Sequence, residues 1–149
     1  MTKNKNNQPI WNTRIKKNSS SLFQKVGNSL DIDKKLYKED IAVSIVHVEM
    51  LFMQKIISLK IKNRITYGLN KIGNEILKNK FKFNIKHEDI HMSIEKKLFQ
   101  IIGEEAGYLH VARSRNDLVI TDLKIWMRFE TNKINKSLDN IIKTILKVS

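Results

Sequence analysis

The chain has 149 residues, 41% of them hydrophobic, with one proline, five glycines and no cysteine. That length fits one modest domain, the scarcity of Pro and Gly argues against a turn-rich β architecture, and the missing cysteines exclude both a disulfide framework and a thiolate metal site. The formal net charge is +13, but the lysines are scattered among asparagines and isoleucines, with no basic cluster interleaved with aromatics, so the charge does not predict a nucleic-acid partner.

Residues 1–20 are polar and basic without sustained periodicity and read as a flexible arm. Met1 to Gln8 has no apolar core of the kind a signal peptide needs. No stretch approaches the roughly 18 apolar residues of a membrane span. The expectation is a cytoplasmic protein with no membrane partner. Leu22 to Leu30 is a short transition containing Gly27.

From about Asp33, Leu36, Ile41, Ile45, Val48, Leu51, Phe52 and Ile56 recur at helical spacing, with Asp31 or Asp33 as the candidate cap. A second helix is predicted from Ser58 to about Lys80, with Ile61, Ile65, Leu69, Ile72, Ile76 and Leu77 on its apolar face. Gly68 and Gly73 lower its propensity or permit close helix packing. Phe81 to Ile85 alternates and is compatible with extended chain. A third helix fits His87 to Ile102, ended by Gly103.

A glycine-punctuated loop follows and ends in Arg113-Ser114-Arg115-Asn116-Asp117, where the last helical pattern begins. Ser114, Asn116 and Asp117 are all good helix caps. A helix start with free N–H groups and two arginines is suited to carboxylate or phosphate. The same spacing also describes a well-capped helix with two solvated arginines. Beyond it, Ile120, Met127, Ile134, Ile141 and Val148 recur every seven residues, with Leu138 and Ile145 as the second seam position. That is the pattern of a helix packed in a bundle. The heptad is still in register at the end of the sequence, so the expectation is an N-terminal piece of a longer protein, or a chain that must oligomerise.

The Arg113–Asp117 block resembles the first signature of the argininosuccinate lyase family of the fumarase/aspartase superfamily, which reads close to Leu-His-Thr-Gly-Arg-Ser-Arg-Asn-Asp. The likeness continues upstream in the same order. Trp11 with Arg14 resembles an N-terminal Trp-Gly-Gly-Arg-Phe. Asn28-Ser29 with Asp31 to Leu36 resembles an early substrate loop. Asp40-Ile41 with Ser44 and His47 resembles the first long helix, and Glu88-Asp89-Ile90-His91 resembles a Glu-Asp-Ile/Val-His segment. The implied fold is all-α: an N-terminal helical domain over residues 21–112, then the substrate loop and first part of a central-bundle helix over 113–149.

The resemblance implies cleavage of argininosuccinate to arginine and fumarate, in arginine biosynthesis, by a cytoplasmic homotetramer that needs neither metal nor organic cofactor. It nominates Ser29, Asp33, Arg113, Ser114, Arg115 and Asn116 for substrate binding, Asp33 facing the arginine end, with Asp89 and His91 in support. The family's acid/base groups lie in later Thr-His-x-Gln and Gly-Ser-Ser-x-Met-Pro-x-Lys blocks that this sequence does not contain. This chain by itself is therefore expected to be inactive. Val111, Ala112 and Leu118 stand where the family pattern has Thr, Gly and Gln, which removes two hydrogen-bonding groups near the substrate. The alternative is a short non-catalytic interaction module, or a degenerate gene product, that docks with a full-length lyase through its last helix.

One motif competes. His87-Glu88-Asp89-Ile90-His91 matches His-Glu-x-x-His, which on a helix puts two imidazoles on one side for zinc. The lyase resemblance already absorbs Glu88, Asp89 and His91, leaving His87 incidental. Of the other histidines, His47 is expected in a core or interface, and His110 is expected to brace the loop.

Overall fold

The computed structural model describes residues 26–84 and 87–148. The 1–20 arm, Trp11 and Arg14 lie outside the described residues. Among those described there are helices and no strand, in the order α1 (Leu30–Asp33), a 3-10 turn (Lys34–Leu36), α2 (Tyr37–Met53), α3 (Leu59–Leu77), α4 (Ile90–Ile102), a 3-10 run (Gly103–His110) and α5 (Arg115–Val148). No described helix is long and apolar enough to cross a membrane.

The first predicted helix is broken in two. Neither Asp31 nor Asp33 caps it, because both lie inside α1, which begins after Ser29. The chain tightens through Lys34–Leu36 before α2 begins at Tyr37. α2 buries Asp40, Ile41, Ser44, Val48 and Leu51, one stripe at helical spacing that mixes polar and apolar groups. Ile56 falls beyond its end and is exposed.

Ser58 caps α3 as predicted, its hydroxyl accepting from the Ile61 N–H at 3.3 Å. α3 buries Ile65, Gly68, Leu69 and Ile72 against α2 and α4. Gly68 is there for closeness: a Cβ at this position would stand 2.4 Å from Leu98 Cδ1 of α4. Leu77, assigned to the apolar face, is exposed. The alternating segment after it is irregular over 81–84, with Phe81 stacked obliquely on Phe83.

α4 starts at Ile90, three residues later than the periodicity suggested. Asp89 sets that start by accepting from the Met92 N–H at 2.7 Å. Gly103 ends the helix at φ 77°, a conformation that costs glycine little. The stretch from Gly103 to His110 is a 3-10 run rather than a loop, and it buries Ala106 and Leu109 in the core.

α5 is 34 residues long, about 50 Å at 1.5 Å per residue. It rests on α2 and buries only Leu118 and Asp122. Beyond Asp122 it leaves the body, and every seam residue named above is at least half exposed, from Ile120 at 50% to Val148 at 85%. Leu123, Ile125, Phe129, Ile142 and Leu146 add exposed apolar surface off that seam. A helix apolar on more than one side is suited to being surrounded by other helices.

Leu69→Ala, at a fully buried position, is expected to lower unfolding stability by about 2–5 kcal/mol. Ile134→Ala, on the projecting part of α5, is expected to change it by under about 0.5 kcal/mol. Urea titrations of the two variants check both. A large loss at Ile134 would mean that the seam is covered in solution.

Candidate functional site

Three segments far apart in sequence meet where α1, the start of α4 and the start of α5 come together. The Ser29 hydroxyl donates to Asp33 Oδ2 at 2.5 Å. Asp33 Oδ1 accepts from the Ile90 N–H at 3.1 Å. One residue earlier, Asp89 caps α4 and accepts from Arg115 Nη2 at 2.7 Å, an ion pair that ties α4 to α5. Asn28 strengthens the join, its amide donating to the His87 carbonyl at 2.8 Å. Ser29, Asp33, Asp89 and Arg115 thus form one continuous polar path.

Ser114 directly precedes α5 and accepts from the Asn116 N–H at 3.2 Å, the cap geometry the sequence predicted. Ser114, Asn116 and Ser29 are exposed, while Asp33, Arg113 and Arg115 are half-buried. The arginines are not simply solvated. Arg115 is held by Asp89, and Arg113 Nη1 donates to the buried Ser44 hydroxyl at 3.1 Å. The turn into this loop holds Ala112 at φ 55°. That left-handed conformation costs a residue with a Cβ about 1–2 kcal/mol, and a glycine much less.

Below the rim lies a buried floor, of which the sequence nominates His91 but not Asp122. His91 Nδ1 is hydrogen-bonded to Asp40 Oδ2 and stands 3.8 Å from Asp122 Oδ2. All three side chains are almost wholly out of water. Ser44 donates to Asp40 Oδ1 at 3.3 Å. Burial works against a charged His91, but the hydrogen bond and charge of Asp40, with the charges of Asp89 and Asp122, outweigh it and raise its pKa. Burial, reinforced by the Asp40 charge, pushes the Asp122 carboxyl up to about 7, against the opposing pull of His91 and Arg113. Burial also lowers the pKa of Arg113 and raises that of Asp33.

The donor atoms of Asp40, His91 and Asp122 lie within 4.8 Å of one another, close enough to enclose a cation. His91 Nδ1 is already engaged by Asp40, and Arg113 brings positive charge to the same place. The cluster is better explained as an ion network sharing a proton than as a metal centre. The His-Glu-x-x-His pattern has no helix to sit on. His87 lies before α4 and bonds Ser93 Oγ through Nδ1 at 3.1 Å, while His91 faces Asp40.

Neither of the other two histidines takes its expected role. His110 pairs with Glu95 at 2.8 Å instead of bracing the arginine loop. His47 Nε2 lies 2.9 Å from the Val111 carbonyl and pins the entrance to that loop from α2. Asp122 was missed outright. Its signal was spacing: Arg115, Leu118 and Asp122 share one helix stripe, and Leu118 is buried.

With this geometry in hand, comparison with known proteins is decisive. The pattern of a protein family described as Lyase matches residues 13–149. The chain belongs to this all-α lyase family of the fumarase/aspartase superfamily. It is similar to an argininosuccinate lyase of Pelagibacter ubique, 73% identical over 149 residues, all of this chain and 32% of that protein. It is 44% identical over 141 residues to an argininosuccinate lyase of Ehrlichia canis, covering 95% of this chain and 30% of the relative. The likeness to one of Bartonella bacilliformis is 40% over 146 residues, 98% of this chain and 31% of the relative. The chain spans about a third of the length of these relatives.

Two tests follow from the site. Asp89→Ala removes a helix cap and leaves Arg115 without its carboxylate, and is expected to cost about 1–3 kcal/mol in chemical unfolding. Asp89→Asn keeps a cap and is expected to cost less. The second test uses pH. His91 has a raised pKa in the folded chain, so its stabilising contribution is complete below its unfolded value of 6.5 and is lost as pH rises through the folded value. Asp122 likewise binds its proton more tightly when folded, so its contribution falls from 3.8 to about 7. His47 and His87, lowered chiefly by burial, act in the opposite direction but only below 6.5. Urea midpoints are therefore expected to fall as pH rises above 6.5, and Asp40→Asn, which removes the partner raising His91, is expected to flatten that slope.

Proposed function

We propose that this chain supplies the first substrate-facing elements of an argininosuccinate lyase, an enzyme that cleaves argininosuccinate to arginine and fumarate. The observation that carries the reading is the joining of Ser29–Asp33, Asp89–His91 and Arg113–Asn116 at one place by specific hydrogen bonds. These are the residues the family resemblance nominated, and the 73% identity to the Pelagibacter protein supports the same substrate.

The reaction is an elimination. A base takes a proton from the carbon beside a carboxylate, and an acid assists departure of the guanidinium nitrogen. Negative charge grows on that carboxylate, so fixed donors aimed at it lower the barrier. The exposed hydroxyl of Ser114, the Asn116 amide and the first free N–H groups of α5 are donors of this kind, whereas the one proton of the Ser29 hydroxyl is given to Asp33. Asp33 suits a guanidinium, although both of its oxygens accept bonds within the chain. The general acid and base are assigned to parts of a complete enzyme outside this sequence, and no cofactor is invoked.

The exposed apolar sides of α5 support a helix bundle shared between copies, a homotetramer in the complete enzyme, working in the cytoplasm. The division into residues 21–112 and 113–149 fits this reading, since α5 makes little contact with the body after Asp122. The same exposed face favours a second reading, a helical module that docks on a full-length lyase.

The purified chain is expected to release no fumarate from argininosuccinate. A chimera in which it replaces the matching third of the Pelagibacter enzyme is expected to be active. Fumarate release by the chain alone overturns the assignment of acid and base elsewhere. A folded but inactive chimera overturns the lyase reading and leaves the docking module.

A further inference from the structure

Asp122 is the one buried carboxylate whose role the lyase reading leaves open. It lies in the second turn of α5, wholly buried, and neither of its oxygens has a hydrogen-bond partner among the described residues. An unpaired buried carboxyl is costly, and its place in a native fold calls for a cause. The groups facing it are Asp40 and Glu39 from α2, His91 from α4 and Arg113 from the loop before its own helix. It therefore looks onto every element that meets at the floor of the site.

We propose that Asp122 is a positioning residue: its carboxyl and that of Asp40 clamp His91 between α5 and α2, and this clamp sets where the Arg113–Asn116 loop stands. Asp40 holds His91 by a direct hydrogen bond and also accepts from Ser44, which in turn accepts from Arg113. Asp122 stands 3.8 Å from the same imidazole nitrogen and six residues along α5 from Asn116. Moving α5 away from α4 would separate Asp122 from His91 and draw Asn116 and Ser114 with it. Without the Asp122 charge, His91 keeps only its α2 partner in the clamp, and the Arg115–Asp89 pair becomes the remaining ionic tie between the start of α5 and α4.

The inference rests on the lyase reading for its kinetic consequence, but not for its structural one. In this chain, Asp122→Asn keeps the shape and removes the charge. Nuclear magnetic resonance of the imidazole is expected to show the His91 titration midpoint moving down, together with shifted signals from the Arg113 guanidinium and the Asn116 amide. In the active chimera, the same substitution is expected to raise KM for argininosuccinate about tenfold with kcat within about twofold, the signature of lost binding geometry rather than lost chemistry. If Asp122→Asn does not fold, Asp122→Ala provides the same comparison. An unchanged His91 midpoint with unchanged loop signals overturns the proposal whether or not the chimera is active. An unchanged KM in an active chimera overturns it as well. Stoichiometric zinc binding that Asp122→Asn abolishes would overturn it in favour of a metal site.

Discussion

His91 sits between Asp40 and Asp122 where water does not reach, and the rest of the structure is arranged around that fact. Ionisable groups in such a place are tolerable only when they face one another, as the His91 imidazole and the two carboxylates do. Those carboxylates come from α2 and α5, while His91 is fixed on α4 two residues after its cap. Three helices with no sequence proximity are thereby held in one register. The hydrophobic core formed by Val48, Leu51, Ile65, Leu69, Ile90, Ile94 and Leu98 supplies the bulk of the cohesion. Apolar contacts alone would permit many helix rotations; a buried ion network permits few, since each rotation leaves a charge unpaired.

Asp89 carries two duties at the same edge. It stops α4 from beginning at His87 by capping the chain at Ile90, and it holds Arg115 at the start of α5. One carboxylate therefore sets where a helix starts and where Arg115 is directed. Asp33 does something similar from α1 by accepting the Ile90 N–H. The site is layered as a result. Exposed Ser29, Ser114 and Asn116 form the rim, half-buried Asp33, Arg113 and Arg115 the middle, and Asp40, His91 and Asp122 the floor.

α5 extends well beyond the compact part of the chain. Its first two turns are part of the site, and its remaining length presents apolar residues on several sides. Asp122 is the last buried residue of α5 among those described, so it marks where the helix stops being part of the core.

The helical class, the Ser58 cap, the stop at Gly103 and the Ser114 cap at the start of α5 were legible in the sequence, because each depends on residues within a turn or two of one another. The rim residues were legible as well, through an ordered family resemblance. The split between α1 and α2, the late start of α4 and the 3-10 run at Gly103–His110 were not, since Ile90, Ala106 and Leu109 take their places from partners many residues away. The same holds for His47 at Val111, and for the meeting of His91, already nominated in support, with Asp40 and Asp122. A single carboxylate on a helix looks solvated in sequence; only the packing of three helices removed the water around Asp122 and turned it into a partner for His91. Local spacing thus determined the helices and the chemistry available at their ends, whereas tertiary structure decided which charges were buried, because burial is set by what packs above a residue and not by its neighbours in the chain.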